Sequence, residues 1–349
     1  MSTLKVTNIE NPDGGGVSAK IADVGGGQLS NRNKIINGSM RIDQRNAGAS
    51  VTPTANTYTV DRWICVITQS SKFSIQQNAG SVTPPAGFSN YLGVTSLSSY
   101  SVAASDVFSL SQVVEGYNVS DLAQGTSNAK SFTISFWVRS SLTGTFGGAI
   151  SGGQIYPFSY TISSANTWEY KTITIPGSTA GTWNTTNGAG LTLRLSLGSG
   201  STYSGTAGAW GSTDYYSTTG AVSVVGTNAA TFYITGVQLE VGSVATTFEH
   251  RSFGDDLRGC QRYYQIFSTG GAGTATAGSQ TNSAHCGVTF PVEMRDTPTI
   301  TVGTASTSTN CTSFGAAAIT KRGFLANATS SASGRQFWYI PTNIASKEL

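Results

Sequence analysis

The chain has 349 residues and a formal net charge of only +3; 11% of its residues are charged, 10% are aromatic and 42 are glycine. That length predicts two domains, or three, with room for a substantial core. The aromatic content excludes a disordered chain, and the scattered Lys and Arg, with no run or stripe, argue against a nucleic-acid partner. No apolar run approaches membrane-spanning length, so no membrane insertion is expected, and Met1-Ser-Thr-Leu-Lys-Val-Thr lacks the apolar core of a signal peptide. Assembly in a cytoplasm, with release by lysis, is one route that fits.

Residues 1–34 form a first segment. Leu4, Val6 and Ile9 give a brief apolar alternation, which Asn11-Pro-Asp-Gly-Gly-Gly and Gly25-Gly-Gly then interrupt. Such a segment cannot bury a core alone. A frayed tail and a docking strand that orders on another protein's sheet both stay open.

From Asn31 the pattern is dense. Ile35 and Ile36 lead into Asn37-Gly38, a strong turn pair, after which Met40 and Ile42 alternate with Arg41 and Asp43. Tyr58, Val60, Trp63, Cys65 and Ile67 supply the next strand, and Arg45 and Arg62 are placed to pair with Asp43 and Asp61 near the domain edge, where exposed pairs would contribute only about 0–1 kcal/mol each. Phe132, Ile134, Phe136 and Val138 alternate with Thr133, Ser135, Trp137 and Arg139; Leu191, Leu193, Leu195 and Leu197 alternate with Thr192, Arg194 and Ser196. Thr172-Ile-Thr-Ile175 stops at Pro176, which cannot donate to a ladder. Period two predicts one buried and one wet face, hence a two-sheet jelly roll, with a barrel as second choice.

Phe232 to Val241 reads as a closing strand with a bulge at Gly236. Ser252-Phe-Gly-Asp255 then reads as a capped helix start, and Leu257, Cys260, Gln261 and Tyr264 share a helical face. Beyond it, Gly270-Gly-Ala-Gly reads as a linker or turn, Val288–Phe290 and Thr299–Val302 as strands, and Phe337-Trp-Tyr-Ile340 as a last strand ending at Pro341. The expected fold is all-β: a large antiparallel β-sandwich (jelly roll) at 35–250, a short linking helix at 251–266 and a small C-terminal β domain at 267–349. The last is marginal for an independent core, which predicts oligomerisation.

Cys65, Cys260, Cys286 and Cys311 include no CxxC pair, so metal and redox motifs are absent and buried reduced thiols are expected, with a Cys286–Cys311 bridge left open. A glycosidase needs two carboxylates at a set distance. Glu115, Asp121, Glu169 and Asp214 show no such pairing and read as solvated surface acids. His250 and His285 are the only histidines, too few for a three-His metal site, and no Ser–His–Asp signature occurs. The chain therefore reads as a non-enzyme without cofactor. Aromatic faces that stack on sugars suit the composition better. Trp63, Trp137 and Trp338 sit in strand patterns and read as packing residues, and Trp168 is ambiguous. Trp183, Tyr203, Trp210, Tyr215 and Tyr216 lie in Gly/Asn/Thr-rich loops and are the candidate glycan contacts, the alternative being rings tucked under a folded loop.

Asn33-Lys-Ile-Ile-Asn-Gly-Ser-Met-Arg-Ile-Asp-Gln-Arg45, Tyr58-Thr-Val-Asp-Arg-Trp63, Glu115-Gly-Tyr-Asn118, Ser135-Phe-Trp-Val-Arg139, Gly236-Val-Gln-Leu-Glu-Val-Gly-Ser243, Arg258-Gly-Cys-Gln-Arg-Tyr-Tyr264 and Phe290-Pro-Val-Glu-Met-Arg-Asp-Thr-Pro298 follow one another in this order. Together they resemble tail fibre and tail-tip proteins of tailed phages, especially short-tailed phages of marine and cyanobacterial type, and Leu4-Lys-Val-Thr-Asn-Ile9 is similar to the openings of such fibres. The resemblance implies a virion protein of the tail, usually homotrimeric, that docks on other tail or adaptor proteins through 1–34 (Leu4, Val6, Ile9) and contacts a host-surface glycan. The first domain is also similar in layout to carbohydrate-binding jelly rolls. Many of those hold calcium near the terminal strands, where an aspartate is common; Thr235 stands there instead, so no metal is expected. A non-virion carbohydrate-binding module, a head fibre or decoration protein, and a polysaccharide depolymerase are the alternatives.

Overall fold

The computed structural model describes Asn8–Ile9, Ala19–Lys20 and residues 31–275, 284–332 and 334–349. Ile9 pairs with Ala19 in a two-stranded ladder, while Leu4 and Val6 lie outside the described residues. The chain divides into two compact units, Met1–Arg251 and Ser252–Leu349. No described helix is long and apolar enough to cross a membrane.

The first unit is a two-sheet antiparallel sandwich. One sheet orders its strands Ile155–Ile162, Gly144–Ser151, Ala189–Ser199, Val107–Glu115, Ile64–Ile67 and Thr57–Tyr58; the other orders Glu169–Ile175, Phe132–Ser140, Thr231–Val241, Leu92–Ser96 and Phe73–Gln77. Successive strands or hairpins alternate between the sheets, so each crossing seals the same core. Phe132, Ile134, Phe136 and Val138 from one sheet and Leu191, Leu193, Leu195 and Leu197 from the other are all within 1% of full burial, as their period of two requires. Each such side chain contributes about 1.5–3 kcal/mol by leaving water.

The outer face of the second sheet is wet on its edge strand but not at its centre, contrary to the simple alternation. Its central strand Thr231–Val241 is buried on both faces: Thr235, Gln238 and Glu240 are all within 3% of full burial. The cause is the bulge at Gly236 (φ +62°), which lets the register slip between Thr235 and Gln238 and turns the Val237 peptide outward. Residues 33–42 occupy that opening. The Val237 N–H donates to Gly38 O (2.9 Å), Asn33 Nδ2 donates to Val237 O (3.0 Å), and the Leu239 N–H donates to Asn33 Oδ1 (3.1 Å). Residues 33–42 are therefore not the strands that the alternation of Met40 and Ile42 suggests. They form a buried irregular plug, its turn closed by Asn37, whose amide donates to Ile42 O and Asp61 O at 2.9 and 3.0 Å. Residues 33 and 34 already belong to the sandwich.

One further expectation changes here. The Thr57–Ile67 region is two short strands joined by a tight turn, with Trp63 fully buried beside them and its indole donating to Asn37 O at 3.2 Å. Asp61 and Arg62 are both 1% exposed; Arg45 Nε lies 3.8 Å from Asp61 Oδ1, as the charges predict, and Arg62 donates to Val113 O at 2.6 Å.

Asp106 sits buried where the chain enters strand Val107–Glu115. It accepts from Thr68 Oγ1 (3.0 Å), Tyr100 Oη (2.7 Å) and the Ala103 N–H (2.8 Å). Burial alone would raise its pKa, but these donors outweigh it and hold the carboxyl below its ordinary 3.8. The folded carboxylate thus binds a proton more weakly than the unfolded one. Its contribution is complete above about pH 4 and is lost as pH falls through the folded value. Asp106→Asn is expected to cost about 1–3 kcal/mol at neutral pH and to flatten the acid limb of a melting-temperature-versus-pH curve; an unchanged acid limb would contradict the assignment.

The second unit opens with helix Phe253–Gln261, capped by Ser252, whose Oγ accepts from the Asp255 N–H at 3.1 Å. The helix is shorter than the expected 251–266, because Tyr264 already begins strand Tyr264–Ala275. That strand runs straight through Gly270-Gly-Ala-Gly, which is neither linker nor turn; Gly271 lies where a Cβ would meet the Trp338 indole at 2.8 Å. Its partner, Gly334–Ser346, also continues past Pro341. The register slips between Phe267 and Thr269, opposite Asn343 and Ile340, so Pro341 falls in the slip, where no ladder N–H is needed. A second sheet, Ala284–Thr289, Gly323–Ser330 and Cys311–Thr320, covers a core of Phe290, Met294, Phe324, Trp338 and Ile340. All four cysteines are free thiols; Cys65, Cys260 and Cys311 are buried, whereas Cys286 is part-exposed rather than buried. Burial pushes the Cys65 thiol well up.

Candidate functional site

The five loop aromatics gather into two groups on the first unit. Trp183 folds back after strand Glu169–Ile175, its indole donating to Ala180 O at 3.0 Å. The ring lies on the backbone of the 151–155 turn, where Gly152 and Gly153 leave room: a Cβ on Gly153 would stand 2.6 Å from the indole nitrogen. Trp210 meets it edge-on at 5.6 Å, packs on Tyr156 at 5.1 Å and donates to Pro176 O at 2.8 Å. Gly211 anchors that loop by exchanging backbone bonds with Ile155 at 2.8 and 2.9 Å.

Tyr203 and Tyr216 form the second group, edge to face at 5.8 Å. The Arg194 guanidinium covers Tyr216 at 3.9 Å and donates to Asp214 Oδ1 at 2.6 Å and to Tyr215 O at 2.9 Å. Burial raises the Tyr216 phenol above its ordinary value, with Arg194 pulling the other way. The Tyr215 ring lies against Gly205. All five rings are half-buried, and Trp183 and Trp210 pack against the core. The loops fold over the sandwich instead of displaying free aromatics, and in that position the Trp183 and Trp210 indoles both donate to backbone carbonyls.

What remains open beside Trp183 is a shallow surface cleft. Val119, Leu122 and Leu191 supply its apolar floor; Ser120, Asn184 and Thr185 supply neutral polar groups. Gln124 lines it too, but its amide is committed to Leu122 O, Lys130 O and the Ser178 N–H. The pocket offers a ring edge and hydroxyls without a charge, which suits a neutral polar ligand with an apolar face.

The acids do not build a catalytic pair. Asp121 binds Lys34 at 2.7 Å, and Asp214 binds Arg194. Glu169 binds Lys171 at 2.6 Å and accepts from the Ser163 and Ser164 N–H groups. Burial would raise the Glu169 pKa, yet these partners hold it below the ordinary range, the opposite of a general acid. Glu115 is 1% exposed, so it is no solvated surface acid. Among the described residues no three His, Cys, Asp or Glu side chains are placed to share a metal. Thr235 donates to Asn90 O at 2.7 Å, and buried Glu240 is filled by donors from Gln238 and Thr246 at 2.7 to 2.8 Å.

Its place in a strand pattern predicts that Trp137 is a packing residue. Its neighbours Phe136 and Val138 are buried, so parity places Trp137 on the outer face, where it meets Tyr170 at 5.3 Å. The alternation itself carried that signal.

No family model matches the sequence, and no curated protein matches it. Among solved structures, similarity is found to the enzymatically active domain of bacteriophage CBA120 tailspike protein 4 (TM-score 0.31, 12% identity, covering 60% of this chain and 21% of that one). It is also found to TmCBM61 with β-1,4-galactotriose (TM-score 0.30, 12% identity, 60% and 99% covered). A third is a family 11 carbohydrate-binding module from Clostridium thermocellum with a mixed-linked tetrasaccharide (TM-score 0.28, 13% identity, 58% and 98% covered).

Proposed function

We propose that this chain is a virion structural protein, a tail fibre that attaches to the particle through residues 1–34 and contacts a host-surface glycan without chemistry. The ordered motifs between residues 31 and 300 support the fibre half of the reading. The glycan half is carried by the pocket beside Trp183, with its apolar floor and uncharged Ser120, Asn184 and Thr185. In this reading the fibre is a homotrimer in the tail, assembled in the host cytoplasm and docked on a tail or adaptor protein. The same pocket also fits a non-virion carbohydrate-binding module. Light scattering separates the two: about three chains per particle for the fibre, a monodisperse monomer for the module.

The glycan reading is tested on an array of host-surface and neutral oligosaccharides. Trp183→Ala is expected to weaken binding at least tenfold, about 1.4 kcal/mol. Thr185→Trp, which fills the exposed rim of the pocket, is expected to do the same while leaving the melting curve in place. An array on which the intact chain binds nothing, or binding indifferent to both variants, ends the pocket assignment.

A further inference from the structure

The outer face of the second sheet carries aromatic rings that the core does not use. Tyr170 and Trp137 stand directly opposite each other on neighbouring strands, rings 5.3 Å apart and inclined 49°. Tyr170 is 41% exposed on the edge strand of the sheet, in register with a tryptophan. Beyond Trp137 the Gly236 bulge leaves a gap in which the Phe88 ring lies; a Cβ on Gly236 would meet Phe88 at 2.7 Å and Trp137 Cδ1 at 3.2 Å. Phe248, at 5.0 Å edge-on, holds Phe88 from behind.

The tryptophan donors distinguish this place from the loops. Trp63, Trp168, Trp183 and Trp210 each donate the indole N–H to a backbone carbonyl, at 2.8 to 3.2 Å. Trp338 buries its N–H. Trp137 does neither: among the described residues its Nε1 has no acceptor, and it is not sealed from solvent. Arg139, two residues along the same strand, donates to Asn166 O at 3.0 Å and holds its guanidinium 5.5 Å over Tyr233. Exposed Thr172 and Thr174 continue the same face of the Tyr170 strand. The ledge thus presents two rings, one free donor and the Thr172 hydroxyl, while the Thr174 hydroxyl donates to Ser243 O at 2.9 Å.

We propose that Tyr170 and Trp137, backed by Phe88, form a second saccharide-binding ledge that takes the apolar C–H face of a neutral sugar and donates the Trp137 N–H to a sugar oxygen. Area decides between a sugar and a second copy of the chain. A whole buried aromatic side chain removes roughly 150–250 Å², and these rings are already half-covered. A stable protein interface needs roughly 800 Å² from each partner. The ledge falls well short of that and matches one or two sugar rings. It shares no residue with the Trp183 pocket, so the inference does not rest on that assignment.

The test uses the full chain titrated with neutral gluco-, galacto- and manno-configured oligosaccharides, followed by tryptophan emission and by calorimetry. Tyr170→Ala is expected to weaken binding about tenfold, Tyr170→Phe to retain it, and Trp137→Phe to weaken it roughly threefold to tenfold and to remove the emission shift. Trp183→Ala is expected to leave this component intact. Binding lost in Trp183→Ala but unaffected in Tyr170→Ala would overturn the ledge and leave the pocket standing; the reverse would overturn the pocket. No saccharide binding at all, or an oligomer that dissociates in Tyr170→Ala, overturns the ledge.

Discussion

Gly38→Ala is expected to destabilise the first unit by about 3–5 kcal/mol, a fall in its melting temperature of roughly 6–20 °C for a unit of this size. A Cβ there would collide with the Val237 carbonyl oxygen, and the Asn33 amide nitrogen stands 3.3 Å from the same point. Neither neighbour can yield cheaply. Val237 is fully buried, its N–H donates to Gly38 O and its O accepts from Asn33, so a shift breaks two buried hydrogen bonds together. The plug also carries Lys34, whose N–H donates to Leu239 O at 2.8 Å, and Ile36, whose peptide is clamped from both sides by Gln112 at 2.8 and 2.9 Å. Calorimetry of the variant checks this directly; a loss under 1 kcal/mol would mean that the plug does not seal the bulge.

Trp338→Ala is the corresponding change in the second unit, with an expected cost of about 3–5 kcal/mol. Trp338 is fully buried, its ring 5.8 Å from Phe314, in a core that also holds Met294, Ile340 and the Phe267, Phe290 and Phe324 rings, 5.6 to 6.0 Å apart. Domains have only about 5–15 kcal/mol in total, so the loss takes much of this unit's stability. Amide exchange should accelerate throughout Tyr264–Ala275, Gly323–Ser330 and Gly334–Ser346. Protection unchanged in those strands would show that the Trp338 site collapses around the smaller side chain.

Period-two alternation made the sandwich strands legible, and the Ser252 cap made the helix start legible, because both signals are local. Trp137 was legible in the same way: its parity set it outside, though what its ring does there was not. Three elements were misread for one reason, that their backbone partners lie far off in the chain. Residues 33–42 carry an alternating pattern yet spend their hydrogen bonds on a bulge some two hundred residues later. Gly270-Gly-Ala-Gly has turn composition but pairs with residues 336–339, where glycine makes space for the Trp338 and Tyr339 side chains. Pro341 forbids a ladder bond, but the opposing strand slips at that point and asks for none. Glu115 belongs with them, since nothing local to it announces burial.

The loop aromatics show the boundary most clearly. Composition marked Trp183, Tyr203, Trp210, Tyr215 and Tyr216 as rings in polar loops, and low charge with two histidines already argued against catalysis and metal binding. Only the tertiary structure decided that these rings lie half-buried over the sandwich while Trp137 keeps a free N–H on the opposite sheet. Periodicity fixes which way a side chain points along its own strand. Whether that direction ends in solvent, in a carbonyl or under another segment depends on chain that arrives from elsewhere, and no local pattern encodes that arrival.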